Sequence, residues 1–141
     1  MTTSAVVFLC GRNAVRSPMA EALWCRTFGE HSASSYGLEP AGLPDGFMIT
    51  VMAELGLDLS NFECRDMADA KAVPISHVIC LADVVFDQAQ AFAEAHKAKL
   101  VSWPIADPTL VSGDRETKLS AYREARDAIA RLIEQESAEL V

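Results

Sequence analysis

The segment VVFLCGRNAVRSP, from Val6 to Pro18, constrains this chain more than any other. Its first residues are apolar and predict a buried strand, and the closing Ser-Pro pair predicts the start of a helix, because proline suits the first turn. Between strand and helix lies a tight turn that runs from Cys10 to Arg16. A strand that passes through a short turn into a helix is the unit of parallel α/β sheets, so the segment favours that class.

The spacing of Cys10 and Arg16, with five residues between them, predicts an oxyanion site. A turn of this length before a helix can direct its backbone N–H groups around one tetrahedral anion. A guanidinium grips two oxygens of such an anion, and positive surroundings favour the thiolate form of a cysteine, which is then a nucleophile for phosphoryl transfer. The alternative is a merely buried cysteine and a solvated arginine. The phosphate-binding residues predicted here are Gly11, Arg12, Asn13, Ala14, Val15, Arg16 and Ser17.

Apolar runs alternate with helical patterns along the rest of the chain, which predicts one α/β domain over residues 1–141. We expect a three-layer sandwich: a central parallel sheet of about four strands with helices on both faces. Strands are predicted at residues 5–9, 33–36, 75–81 and 100–103, and helices at 18–28, 47–55 and 84–96, followed by a long helix that Asp114 caps.

Charge and cysteine content limit the partners. The net charge of −8 argues against nucleic acid and against an anionic membrane as partners. The four cysteines show no Cys-x-x-Cys pair and no zinc-ligand spacing, so we expect reduced thiols, no metal and no cofactor. The first apolar run is short and lacks a basic flank, which predicts a cytoplasmic location rather than a signal peptide.

Several motifs in this sequence resemble one family. The run Cys10-x-x-Asn13-x-x-Arg16-Ser17-Pro18-Met19-Ala20-Glu21 resembles the signature of the low-molecular-weight protein tyrosine phosphatases and of the related thioredoxin-coupled arsenate reductases. Weaker similarities follow in the expected order at Ser35-Tyr36-Gly37 and at residues 56–60. The segment Trp103-Pro104-Ile105-Ala106-Asp107-Pro108 resembles the family's Asp-Pro loop and precedes the last helix.

The resemblance implies a role for each matching residue. Cys10 would be the nucleophile, Arg16 would bind and stabilise the phosphoryl group, and Asp107 would be the general acid. Ser17 would hydrogen-bond the cysteine sulfur, although it could also cap the helix. Asn13 would take an unusual backbone conformation and tie the loop to a serine, here Ser35.

The chain also departs from the family pattern. The family usually has glycine at the third position of the loop, whereas here Gly11 is second and Arg12 is third. Val15 stands where the phosphatases often have a second cysteine, just before the arginine. Thr109-Leu110 follows Asp-Pro in place of two tyrosines, which weakens the case for phosphotyrosine. The family's aromatic residue on the opposite lip has Leu43 or Phe47 as its counterpart.

These observations predict phosphomonoester hydrolysis, of the phosphotyrosine type, through a cysteinyl-phosphate. The substrate would be a phosphorylated protein or a small phosphoester, and the enzyme a monomer or weak homodimer. One alternative is an arsenate reductase that uses an external thiol, because the segment from Leu81 to Lys97 has no cysteine for an internal relay beyond Cys80. The other alternative is an oxyanion-binding regulatory module without catalysis.

Overall fold

Strands and helices alternate along the chain as the sequence predicts, in a computed structural model that describes residues 5–70 and 74–140. The strands are β1 (Ala5–Cys10), β2 (Ala33–Gly37), β3 (Ile75–Cys80) and β4 (Lys99–Ser102), and the helices are α1 (Arg16–Phe28), α2 (Gly46–Ala53), α3 (Phe86–Ala95) and α4 (Arg115–Leu140). Short 3₁₀ turns at Met67–Asp69, Asp83–Val85 and Pro108–Leu110 complete the regular structure of the described residues.

The four strands form one parallel sheet in the order β2-β1-β3-β4. The chain therefore leaves β1 toward one edge to form β2 and returns to the other side of β1 to form β3. A reversal of this kind opens a crevice at the carboxyl ends of the strands on either side of it. Because β1 is one of those strands and ends at Cys10, the sheet topology places the predicted nucleophile beside that crevice.

Both faces of the sheet are covered, which confirms the predicted sandwich. Side chains alternate along β1, so Val6 and Phe8 join one core while Val7 and Leu9 join the other. The first core is shared with buried residues of α1, α2 and α4. The second core is shared with α3 through residues such as Phe92. None of the helices in the described part combines the length and the apolar character needed to cross a membrane.

Two helix starts differ in how they are capped. Asp114 accepts a hydrogen bond from the Thr117 N–H (2.8 Å) at the start of α4, as predicted. The suggestion that Ser17 caps α1 is wrong: the helix begins at Arg16, and Val15 precedes it without a side-chain cap. The Ser17 hydroxyl is not available for capping because it lies 2.9 Å from the Cys10 sulfur.

Candidate active site

The oxyanion loop (residues 11–16) connects β1 to α1, and its carbonyl groups face a neighbouring segment. The Gly11 carbonyl accepts a hydrogen bond from the Glu39 N–H, and the Arg12 carbonyl accepts one from the Ala41 N–H, both at 2.9 Å. Within the described residues, the backbone N–H groups of the loop donate to no backbone carbonyl. The carbonyl groups of the loop are therefore hydrogen-bonded to a neighbouring segment, whereas its backbone N–H groups are available to bind an anion.

Asn13 holds the loop in shape from inside the protein. It is fully buried and has a positive φ of 53°, a conformation that asparagine tolerates better than most residues. Its amide nitrogen donates to the Ser17 hydroxyl (2.8 Å) and to the Ser35 hydroxyl (3.0 Å), and its amide oxygen accepts from the Arg65 backbone N–H (2.7 Å). The tie to Ser35 is the one the family resemblance implies.

The Ser17 hydroxyl lies between Asn13 and the sulfur of Cys10. The sulfur–oxygen distance is 2.9 Å, and both residues are buried. Because the Asn13 NH₂ group can only donate, the Ser17 oxygen must accept from it, and the hydroxyl proton is free to point at the sulfur. This arrangement directs the Ser17 hydroxyl at the Cys10 sulfur, which is the contact that the resemblance implies for Ser17.

A closed ring of hydrogen bonds extends this contact toward the surface. The Ser35 hydroxyl donates to the Glu21 carboxylate (2.7 Å), and the Arg65 guanidinium donates to the same carboxylate (3.0 Å). The backbone N–H of Arg65 returns to Asn13 and completes the ring. Sequence analysis assigned no role to Glu21 or Arg65. Glu21 stands in the signature run, but nothing in the sequence pairs it with a residue 44 positions away.

The ring predicts a stability cost for removing the Ser35 hydroxyl. Ser35→Ala leaves Asn13 and Glu21 each without one buried partner, so we expect a loss of about 1–3 kcal/mol in the free energy of unfolding. Urea unfolding measures it. Ser34→Ala is the matched control, because Ser34 is half-buried and its side chain makes no hydrogen bond in the described part of the chain. Equal stability of the two variants would show that the ring contributes nothing.

Gly37, at the end of β2, allows the loop to approach the sheet closely. A Cβ atom at this position would lie 2.8 Å from the Asn13 nitrogen and 2.9 Å from the Arg12 carbonyl carbon, both of which are backbone atoms. Backbone cannot swing aside as a flexible side chain can, so only glycine fits here.

Gly37→Ala therefore destabilises the protein and distorts the oxyanion loop. The expected loss is about 1–3 kcal/mol, typical of an overpacked site. Gly42→Ala is the control, because a Cβ there meets no atom within 4 Å. Urea unfolding of both variants measures the difference, and a Gly37→Ala protein as stable as Gly42→Ala would contradict the close approach.

Asp107 and Arg16 meet on one wall of the crevice. The Arg16 guanidinium donates to the Ile105 carbonyl (2.9 Å) and lies 3.6 Å from an Asp107 carboxylate oxygen. The other carboxylate oxygen of Asp107 accepts from the Thr109 N–H (2.9 Å) and hydroxyl (2.7 Å). The hydrogen bonds from Thr109 thus orient the Asp107 side chain. Arg16 and Asp107 lie together although they are far apart in the sequence.

The crevice has a volume of about 280 Å³ and includes Cys10, which is 3% exposed. Leu43 lines it, whereas Phe47 does not and packs on Tyr122 with ring centres 5.3 Å apart. The lip residue suggested by the sequence is therefore Leu43. The full lining is Cys10, Arg12, Ala14, Val15, Arg16, Ala41, Leu43, Asp45, Asp107 and Thr109. Gly11, Asn13 and Ser17 support this lining from outside it.

Asp45 is a crevice residue that sequence analysis missed. One carboxylate oxygen accepts hydrogen bonds from the N–H groups of Phe47 and Met48 at the start of α2. The other oxygen accepts from the Tyr122 hydroxyl of α4 (2.9 Å). Burial, and then this hydrogen bond, raise the pKa of Tyr122. The only local signal was a Pro-Asp-Gly turn, which is common before helices and does not indicate a crevice.

The other cysteines do not enter the crevice lining. All four cysteines are free thiols. Cys80 is buried at the end of β3, and its thiol donates to the Ala82 carbonyl (3.1 Å). Burial raises the pKa of the Cys80 thiol and also that of Cys64. In the described part of the chain, no group of three or more His, Cys, Asp or Glu side chains is arranged to hold a metal ion.

Comparison with known proteins identifies the family. The family model described as low molecular weight phosphotyrosine protein phosphatase matches residues 5–141. The chain belongs to this family. The match covers the oxyanion loop and the Asp-Pro loop together, in agreement with the resemblance of both motifs.

Proteins similar to this chain carry two kinds of name. An arsenate reductase of Halalkalibacterium halodurans is 30% identical over 135 residues, which is 94% of each chain. A structure described as an arsenate reductase in the phosphate binding state is 25% identical, covers 99% of this chain and 100% of its own, and has a TM-score of 0.75. The tyrosine phosphatase AmsI of Erwinia amylovora, at 18% identity, shares the fold with a TM-score of 0.77 over 99% of this chain and 94% of its own. The names of these similar proteins thus include two reductases and a phosphatase.

Proposed function

We propose that this chain is an enzyme that hydrolyses phosphomonoesters through a cysteinyl-phosphate on Cys10. The observation that carries the proposal is the presence of Cys10, Arg16 and Asp107 in one crevice at the carboxyl end of β1. Binding of an oxyanion alone would need neither a thiol in contact with the Ser17 hydroxyl nor the Asp107 carboxyl group in the same crevice. This combination therefore favours catalysis over a binding module.

The first step transfers the phosphoryl group to sulfur. The oxyanion loop N–H groups and the Arg16 guanidinium hold the non-bridging oxygens, and the Cys10 thiolate attacks phosphorus. As the ester bond breaks, Asp107 gives its proton to the leaving oxygen, a contribution of typically about 10²–10⁴-fold in rate. The Ile105 carbonyl holds Arg16 at the crevice wall before substrate arrives, which reduces the reorganisation needed in the transition state.

The second step hydrolyses the cysteinyl-phosphate. The Asp107 carboxylate takes a proton from water, the water oxygen attacks phosphorus, and the sulfur leaves as a thiolate. The Ser17 hydroxyl, 2.9 Å from that sulfur, stabilises the departing thiolate. Inorganic phosphate is released, and both Cys10 and Asp107 return to their starting protonation states.

Arsenate reduction with an external thiol is the second candidate, and the 30% identical Halalkalibacterium relative favours it. Cys10 would attack arsenate in the same loop, and two thiols would be oxidised to a disulfide as arsenic passes from the +5 to the +3 state. The chain itself offers Cys80 near the end of β3, but this thiol is buried and no cysteine follows it through Lys97. Arsenate reduction by this chain would therefore require an external thiol such as glutathione or mycothiol.

Two assays on the same preparation separate the candidates. Hydrolysis of p-nitrophenyl phosphate is measured at mildly acidic pH with a chelator present. Arsenite production from arsenate is measured with glutathione or mycothiol. Metal-independent hydrolysis would support the phosphatase proposal. Arsenite production without hydrolysis would instead show that the chain is an arsenate reductase. If the folded protein bound phosphate but showed neither activity, the result would indicate an oxyanion-binding module without catalysis.

We also propose a cytoplasmic location for the enzyme. All four cysteines, Cys10, Cys25, Cys64 and Cys80, are free thiols, which is the usual state in a reducing compartment.

A further inference from the structure

Arg12 is a second guanidinium at the crevice, and the proposed reaction does not use its side chain. It is exposed and lines the crevice together with Cys10 and Arg16. In the described part of the chain the Arg12 side chain forms no ion pair, whereas Arg16 pairs with Asp107. A cation without a partner in a protein of net charge −8 is a candidate ligand for an anion that the protein does not supply.

Arg12 and Arg16 are tied to different segments around the crevice. The Arg12 carbonyl accepts from the Ala41 N–H, which ties it to the segment that also carries Leu43. Arg16 is tied instead to the Ile105 carbonyl, beside Asp107. The reacting phosphate occupies Arg16 and the loop amides, so the Arg12 side chain remains free for another group of the same substrate.

We propose that Arg12 is a specificity-determining residue that contacts a second anionic group, a carboxylate or a further phosphate, on the leaving group of the substrate. The inference rests on the proposed phosphatase activity and narrows its substrate class to phosphomonoesters with a second oxyanion. A guanidinium suits this role because it can bind two oxygens of either group. It also accounts for an arginine at a loop position where the sequence pattern of the family has glycine.

Negative charge elsewhere in the protein bears on this assignment, and that of Asp107 is paired with Arg16. Asp45 lines the same crevice, but its carboxylate accepts from the Tyr122 hydroxyl and from N–H groups at the start of α2, which compensate its charge. The negative charge of the whole protein acts over distance and is screened beyond about 8 Å at physiological salt. A direct contact between Arg12 and a substrate anion acts at short range, so the distant negative charges of the protein do not cancel it.

The test compares phosphate esters that differ only at a remote substituent. Phenyl phosphates with a 2-carboxyethyl, 2-carboxamidoethyl or 2-aminoethyl group in the para position have similar reactivity at the ester and differ in charge. Wild type should favour the carboxylate over the amide by about fivefold in kcat/KM, the range of an exposed ion pair. In Arg12→Gln this ratio should fall to about one, and in Arg12→Glu the aminoethyl ester should become the best of the three.

The ratio between substrates is the readout, because any loss common to all three esters cancels. Arg26→Gln is the control: Arg26 lies exposed in the last turn of α1, outside the crevice lining, and should keep the wild-type ratio. Hydrolysis of all three esters at equal kcat/KM, or a preference for the aminoethyl ester in wild type, would overturn the role of Arg12. No hydrolysis of any ester would instead overturn the proposed function.

Discussion

Cys10→Ser should abolish hydrolysis of p-nitrophenyl phosphate, with kcat falling by at least about 10⁴-fold. A serine hydroxyl is almost entirely protonated at neutral pH, and the hydrogen bond from Ser17 cannot make it a strong nucleophile. The replacement is nearly isosteric at a position that is 3% exposed, so the fold and the oxyanion loop should persist. The measurement is kcat for both proteins, with inorganic phosphate binding followed by thermal shift to show that the loop is intact.

Cys25→Ser provides the control for this experiment. Cys25 is half-buried on α1, and its sulfur lies 3.7 Å from the Ala33 carbonyl, outside the crevice lining. We expect the kcat of Cys25→Ser to stay within about twofold of the wild-type value, because the substitution lies outside the crevice. Turnover that persists in Cys10→Ser would remove the nucleophile assignment, and loss of turnover in both variants would point to a general effect of losing a thiol.

Asp107→Asn should lower kcat by about 10²–10³-fold while phosphate binding is retained. Asparagine keeps a side-chain oxygen that can accept from the Thr109 N–H and hydroxyl, so the loop geometry should survive while the acid is lost. The defect should grow as the leaving group becomes more basic, because such groups depend most on a proton donor. A series of aryl phosphates measures this dependence directly.

Asp66→Asn is the matched control for Asp107→Asn. Asp66 likewise precedes a one-turn helix and accepts from a backbone N–H, that of Ala68 (2.8 Å), but it does not line the crevice. The Asp66→Asn variant should have a kcat within about twofold of the wild-type value. If Asp107→Asn showed the same loss with every leaving group, Asp107 would act on the loop and on Arg16 rather than as the proton donor.

Much of this architecture was predictable because its signals are local. The continuous apolar run Val6–Leu9 predicts a strand that is buried on both faces, and Asp114 before a periodic run predicts the start of α4. Cys10 and Arg16 belong to one short turn, so their spacing alone indicates an anion loop. Asp107 needed the family resemblance, since an Asp-Pro pair by itself also fits an ordinary turn.

The sequence by itself therefore determined the parallel α/β class, the oxyanion loop and the residues expected to do chemistry in it. The tertiary structure alone decided the ring of Glu21 and Arg65 behind the loop, the capping of α2 by Asp45 in the crevice, and the crevice that brings Asp107 to the loop. The physical reason is range. Backbone preferences and periodicity act over a few neighbouring residues, whereas the tertiary contacts join residues far apart in the chain, such as the Arg16 side chain and the Ile105 carbonyl 89 positions away, and depend on how the sheet and helices pack.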